Sequence, residues 1–119
     1  MNTTRPLDGN EEDIRAIATP IFQNILAAHD TGDYSLLEPL LSDALKSALD
    51  AETFAELIDD HFAGVGASAG STWLGSLRKE DATQVLWKVS YGDDHPEVLW
   101  QVFLTPGGDA LEVAGLLFS

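Results

Sequence analysis

The sequence predicts an α+β domain in which amino-terminal helices pack on a curved four-stranded antiparallel sheet. Three observations carry that prediction. Helical three-and-four apolar spacing dominates up to residue 63, whereas strand-like alternation and turn signals appear only after Gly70. All three tryptophans, Trp73, Trp87 and Trp100, fall in the last 47 residues. The first 63 residues hold 13 of the 20 carboxylates, the pattern of helices with an acidic solvated side. Helices followed by strands put the helices in one layer over the sheet.

After Pro6 and Gly9, Asn10 supplies a capping side chain, and Glu11, Glu12 and Asp13 occupy a first turn, where carboxylates meet the positive end of the helix dipole. Ile14, Ile17, Ala18, Ile21, Phe22, Ile25 and Leu26 share one face, so the helix should reach about Asp30 and end at Gly32. Pro20 removes a backbone donor inside it, which predicts a bend or a loosened turn between Ala16 and Pro20. Ser35 and Glu38 have capping-box spacing ahead of Leu36, Leu37, Leu40 and Leu41, and Pro39 limits that helix to a turn or two. Residues 42–49 are helical in composition but short, and their state stays open. A third helix follows Asp50, with Phe54, Leu57, Ile58 and Phe62 inward and Glu52, Glu56, Asp59 and Asp60 outward, ending at Gly64.

The glycine-rich stretch 64–70 invites a nucleotide-loop reading, but it follows a helix and leads into a strand, the reverse of a dinucleotide fingerprint. It reads as a connector. Strands are expected over about 71–79, 82–91, 97–105 and 110–118, separated by short runs rich in Gly, Asp and Pro that favour hairpins and hence a meander. Val85, Trp87, Val89 and Tyr91 alternate with Gln84, Leu86, Lys88 and Ser90, and Val98, Trp100, Val102 and Leu104 repeat the pattern. The opposite side of the third strand holds Leu99 and Phe103, while the fourth sets Leu116 and Phe118 against Leu111, Val113 and Leu117. Both sheet faces are therefore partly apolar. Helices cover only one of them, so the sequence predicts a homodimer through the sheet with Leu99, Phe103, Leu116 and Phe118 at the interface.

A chain of 119 residues with 45% hydrophobic content fits one domain over 1–119, its helical half at about 10–63 and its sheet half at about 71–118. Cysteine is absent, which excludes disulfides, thiolate catalysis and Cys-built zinc sites. The formal charge of −14 opposes phosphate backbones and anionic lipid, so neither nucleic acid nor membrane is an expected partner. No basic stretch followed by an apolar run opens the chain, and no apolar run approaches membrane-spanning length. A cytoplasmic location is the expectation, although a chain with its leader removed would read the same.

The segment Ala27-Ala28-His29-Asp30-Thr31-Gly32-Asp33-Tyr34, followed by Leu36-Leu37 and Leu40-Leu41-Ser42, resembles the first helix and turn of NTF2-like proteins of the cystatin-like fold. The layout of nearly the whole chain agrees, and Gly32-Asp33-Tyr34 is the one local signature. The resemblance implies a cone-like cavity between sheet and helices and a dimer through the sheet. It also implies two kinds of function, since the superfamily holds isomerase- and dehydratase-like enzymes beside members that only bind or assemble.

Asp33 and Tyr34 would supply a base and a phenol at a cavity mouth, or simply close a helix end and pack beneath the next helix. His29-Asp30 and Asp59-Asp60-His61 join imidazole to carboxylate, but successive helical residues diverge by about 100° and no metal-ligand spacing occurs, so neither metal nor cofactor is expected. His95 lies in a turn beside Pro96 and reads as solvated. Trp73, Trp87, Tyr91 and Trp100 either line a small-ligand site or fill the core. The resulting expectation is a non-catalytic domain that binds a small apolar ligand or a protein. An isomerase- or dehydratase-like enzyme with a carboxylate in an apolar cavity is the first alternative, and an accessory subunit of a larger assembly the second.

Overall fold

The computed structural model describes residues 11–62, 67–92, 95–106 and 111–118. Asn10, the expected helix end at Gly64, Asp93, Asp94 and the turn 107–110 lie outside them. Helix α1 (Glu11–Thr31) carries three acids in its first turn and ends at Gly32, whose φ of +72° suits a residue without a Cβ. The Asp33 N–H closes that cap by donating to the Ala28 carbonyl at 3.1 Å. Pro20 does not interrupt the helix. It lies on the exposed side of a continuous α1, with the Thr19 hydroxyl donating to the Arg15 carbonyl just before it.

The predicted capping box at Ser35 and Glu38 does not form. Asp33 instead accepts from the Ser35 amide at 3.0 Å and from its hydroxyl at 2.6 Å, which places Ser35 inside a single 3-10 turn, Tyr34–Leu36. Pro39 lies in a second such turn, Glu38–Leu40. Residues 42–49 are resolved in favour of a helix, α2 (Asp43–Ala48), with the Ser42 hydroxyl accepting from the Leu45 amide. Helix α3 (Ala51–Phe62) starts behind Asp50, whose carboxylate takes the Thr53 amide at 2.8 Å. Hydrogen bonds from the Thr53 amide and hydroxyl hold the Asp50 carboxyl below its ordinary value.

The strands β1 (Gly70–Arg78), β2 (Thr83–Ser90), β3 (Val98–Pro106) and β4 (Leu111–Phe118) form one open antiparallel meander in chain order, as the sequence predicts. Two bulges interrupt it. Leu74 is extra between the pairs Trp73–Trp87 and Gly75–Leu86, and Ala114 is extra between Leu104–Val113 and Phe103–Gly115. Gly75 has φ of +149°, a backbone conformation that other residues rarely take. Beyond β4, Leu41 bridges Val113 in parallel and the Ser42 amide donates to the Val113 carbonyl at 2.9 Å, so that strand edge is partly occupied.

The core lies between the helices and one face of the sheet. From α1 come Ile14, Ala18, Phe22, Ile25 and Ala28, all buried, and from the sheet come Val85, Trp87, Val89, Trp100, Val102, Leu104 and Val113. Phe22 stacks on Trp87 with ring centroids 4.0 Å apart and planes within 5°, and meets Trp100 edge-on at 5.8 Å. Replacing Phe22 by Ala should lower unfolding stability by about 3–5 kcal/mol, read by urea denaturation. A loss below about 1 kcal/mol would mean that this seam does not hold α1 to the sheet.

Candidate functional site

Two regions concentrate chemistry, one on each face of the sheet. On the helix-facing side lie the four aromatic residues expected to line a ligand site. Trp87, Tyr91 and Trp100 are buried and Trp73 is half-buried. Trp73 meets Trp87 edge-on at 5.1 Å and donates its indole N–H to the Glu11 carboxylate at 3.1 Å, while the other oxygen of Glu11 accepts from the Ser76 hydroxyl. Trp100 donates its indole N–H to the Tyr91 hydroxyl at 3.1 Å. Trp87 is only 3% exposed, and its N–H makes no hydrogen bond among the described residues.

His29 joins this wall from α1. Its ring sits edge-on to Tyr91 at 5.6 Å and to Trp100 at 5.1 Å, and its Nε2 is 3.9 Å from the Asp30 carboxylate. Asp30 in turn accepts from the Ser68 amide at 2.9 Å and hydroxyl at 2.6 Å, tying the end of α1 to the segment that enters β1. Burial pushes the His29 imidazole below its ordinary value, against the raising effect of the Asp30 charge. Burial likewise raises the Tyr91 phenol, opposed by the Trp100 hydrogen bond and reinforced by Asp30. His95 is half-buried rather than fully solvated, with its ring 5.7 Å from that of Tyr91.

Asp33 and Tyr34 stand apart from this wall. The Asp33 carboxylate is engaged by Ser35, and Tyr34 tilts against Phe54 while its hydroxyl donates to the Leu49 carbonyl at 2.7 Å. These contacts fasten the turn after α1 onto the α2–α3 junction. Among the described residues no cluster of three His, Asp or Glu side chains is arranged to hold a metal ion.

The second region is the sheet face away from the helices. Residues opposed across an antiparallel ladder point the same way, so the register assigns each side chain to a face. Leu77, Gln84 and Phe103 form one row with Gly115, and Leu86, Gln101 and Leu117 form the next. Leu99, opposite Lys88, extends the surface. The four residues expected at a dimer interface are thus divided. Leu99 and Phe103 lie on this outer face, whereas Leu116 opposes Val102 and Phe118 opposes Trp100 on the inner one, with the Phe118 and Trp100 rings 4.8 Å apart. The cause is the extra residue at Ala114, which reverses the alternation for the rest of β4 and turns Leu117 outward, 54% exposed. Only the small pair Ala114-Gly115 hints at this in the sequence. The Phe103 ring lies so close over Gly115 that an added Cβ would sit 3.0 Å from it.

Gln84 and Gln101 also went unmarked in the sequence. They are diagonal neighbours on adjacent strands, and the Gln84 amide donates to the Gln101 side-chain carbonyl at 2.5 Å. Gln84 is buried although it lies on the outer face, 7% exposed. Of the strand residues assigned outward by the register, only Lys88 and Glu112 are charged, and Lys88 pairs with Glu97 at 3.4 Å. No described helix is long and apolar enough to cross a membrane.

Comparison of the chain with protein-family models, curated proteins and solved structures finds no match. The residues themselves therefore carry the functional argument.

The His29 environment generates a pH prediction. The folded protein holds this imidazole neutral below the pH at which the unfolded chain takes its proton, about 6.5, so the unfolded state binds more protons in that window. Stability contributed by His29 is complete above about pH 6.5 and is lost as pH falls through that value towards the lowered one. Thermal unfolding from pH 8 to pH 5 should show a steeper acid-side loss in the wild type than in His29→Gln. Parallel profiles would show that the imidazole does not titrate differently in the two states.

Proposed function

We propose that the chain is a non-catalytic, NTF2-like association domain that forms a homodimer through the outer face of its sheet. The observation that carries this reading is a broad, largely apolar face that no described helix covers and on which Glu112 is the one carboxylate among the described strand residues, on a protein of formal charge −14. Leu77 and Leu117 are 49% and 54% exposed, beside half-buried Leu86, Leu99 and Phe103. A second copy fits this face because it brings the same largely uncharged surface, and the acidic helices of the two subunits point away from each other. A basic partner would find no row of carboxylates to meet.

Area supports the same occupant. Four strands about 4.8 Å apart and eight residues about 3.4 Å apart give a face of about 19 by 27 Å, so that two copies bury about 1,000 Å² even as flat surfaces. That reaches the lower bound of about 1,000 Å² for a specific interface. The NTF2-like assignment is supported by the element order, by the Gly32-Asp33-Tyr34 turn that closes α1, and by the single helical layer on an antiparallel meander. The non-catalytic reading is supported by Asp33 and Tyr34, whose polar atoms are engaged in closing turns.

A second reading, binding of a small apolar ligand among Trp73, Trp87, Tyr91 and Trp100, is favoured by the buried Trp87 indole. Saturable binding of the neutral probe Nile red, weakened about fivefold in Trp87→Phe by loss of one hydrogen bond of about 1 kcal/mol, would support it. Equal binding by both proteins would reject it. For the dimer, sedimentation equilibrium should give twice the 12.8 kDa chain mass, and Phe103→Glu should give a folded monomer with an unchanged far-ultraviolet circular dichroism spectrum. A wild-type monomer at all concentrations, or an unchanged mass in the variant, would reject the sheet interface.

A further inference from the structure

Resting on the sheet-face dimer, we propose that the Gln84–Gln101 amide pair is its specificity element, fixing two copies in one register. An apolar face alone attracts a second copy without choosing how it lies, because hydrophobic contact is non-directional. Direction comes from hydrogen bonds, and on this face the two glutamines concentrate them. They sit on β2 and β3, the two inner strands of the meander. Leu77 and Phe103 flank Gln84 in its row, and Leu86 and Leu117 flank Gln101 in the next. Within these two rows the pair is a polar centre flanked by apolar side chains, while Thr72, Lys88, Thr105 and Glu112 lie in the rows beyond.

Each glutamine amide offers two donor hydrogens and two acceptor lone pairs. The bond between them engages one hydrogen of Gln84 and one lone pair of Gln101, and it pre-orders both side chains. The Gln84 carbonyl oxygen and the Gln101 amino group retain the capacity to bond outward. A two-fold axis passing between β2 and β3 would bring each subunit's Gln101 amino group to the other's Gln84 carbonyl, closing a reciprocal ring of four amides. A register shifted by one row would bury those polar atoms against leucine or phenylalanine, where an unmade hydrogen bond is penalised. A single buried polar residue in a coiled-coil seam sets register by the same logic, at some loss of stability. The Phe103 ring, lying over Gly115, borders the polar centre.

The chain contains no cysteine, so Ala44→Cys on α2, exposed on the helical side, provides one spin-label site per subunit. Pulsed electron resonance on the labelled dimer should give one narrow distance. The double variant Gln84→Leu/Gln101→Leu should still dimerise, with a lower dissociation constant, but should give two or more distances or a broad distribution. The single variant Gln101→Met, close in volume, provides the same test if the double variant does not fold. Narrow, wild-type-like distances in a folded variant would overturn the register proposal while leaving the dimer intact. A wild-type chain that stays monomeric would overturn the dimer, and the register proposal with it.

Discussion

The stacking of Phe22 on Trp87 sets the rotation of α1 over the sheet, and the remaining contacts of that helix follow from it. Glu11 precedes Phe22 by eleven residues and His29 follows it by seven, about three and two helical turns, so all three project towards the same side. With Phe22 on Trp87, Glu11 reaches Trp73 and Ser76 at one end, and His29 meets Tyr91 and Trp100 at the other. Asp30 is then in reach of Ser68, which ties the end of the helix to the start of the sheet. One face of one helix thus spans the sheet through aromatic and charge-assisted contacts, most of them with β1, β2 or the segments flanking them.

The same arrangement separates charge from apolar surface. The amino-terminal 63 residues carry 13 of the 20 carboxylates and their helices shield the inner face, so the acidic field lies on that side of the molecule. The outer face is left with leucines, a phenylalanine, two glutamines, the hydroxyl residues Thr72, Ser90 and Thr105, and a single paired lysine before the Glu112 rim. Like-charge repulsion between acidic copies is therefore weakest for an approach sheet to sheet. The proposed dimer would therefore keep the acidic helices and the associating surface on opposite faces of one layer.

Most of the fold was legible in the sequence because short-range periodicity and turn chemistry specify it. The first-turn acids and Gly32 bound α1, and alternation through Trp87 and Trp100 correctly faced β2 and β3 towards the helices. The site was legible only in part. The alternation places Leu99 and Phe103 on the outer side, where they lie, but it groups Leu116 and Phe118 with them, and it marks Gln84 only as ordinary polar alternation. At Ser35, the capping box lost to Asp33 because a carboxylate two residues upstream already held both the hydroxyl and the amide. Asp33 and Tyr34 read either as a base and a phenol or as residues that close a helix end and pack beneath the next turn, and in three dimensions each closes a turn.

The amino-acid order by itself determined that helices precede strands, where α1 and the four strands run, and where the acidic surface lies, because each depends on residues within a few positions of one another. Which side β4 presents after Ala114 was decided only by the tertiary structure, since a bulge exists relative to a partner strand and reverses the alternation without altering the local pattern. The pairing of Gln84 with Gln101, seventeen residues apart, was likewise a matter of register between β2 and β3. Local geometry builds the elements, and the alignment of one strand on the next chooses the surface they show.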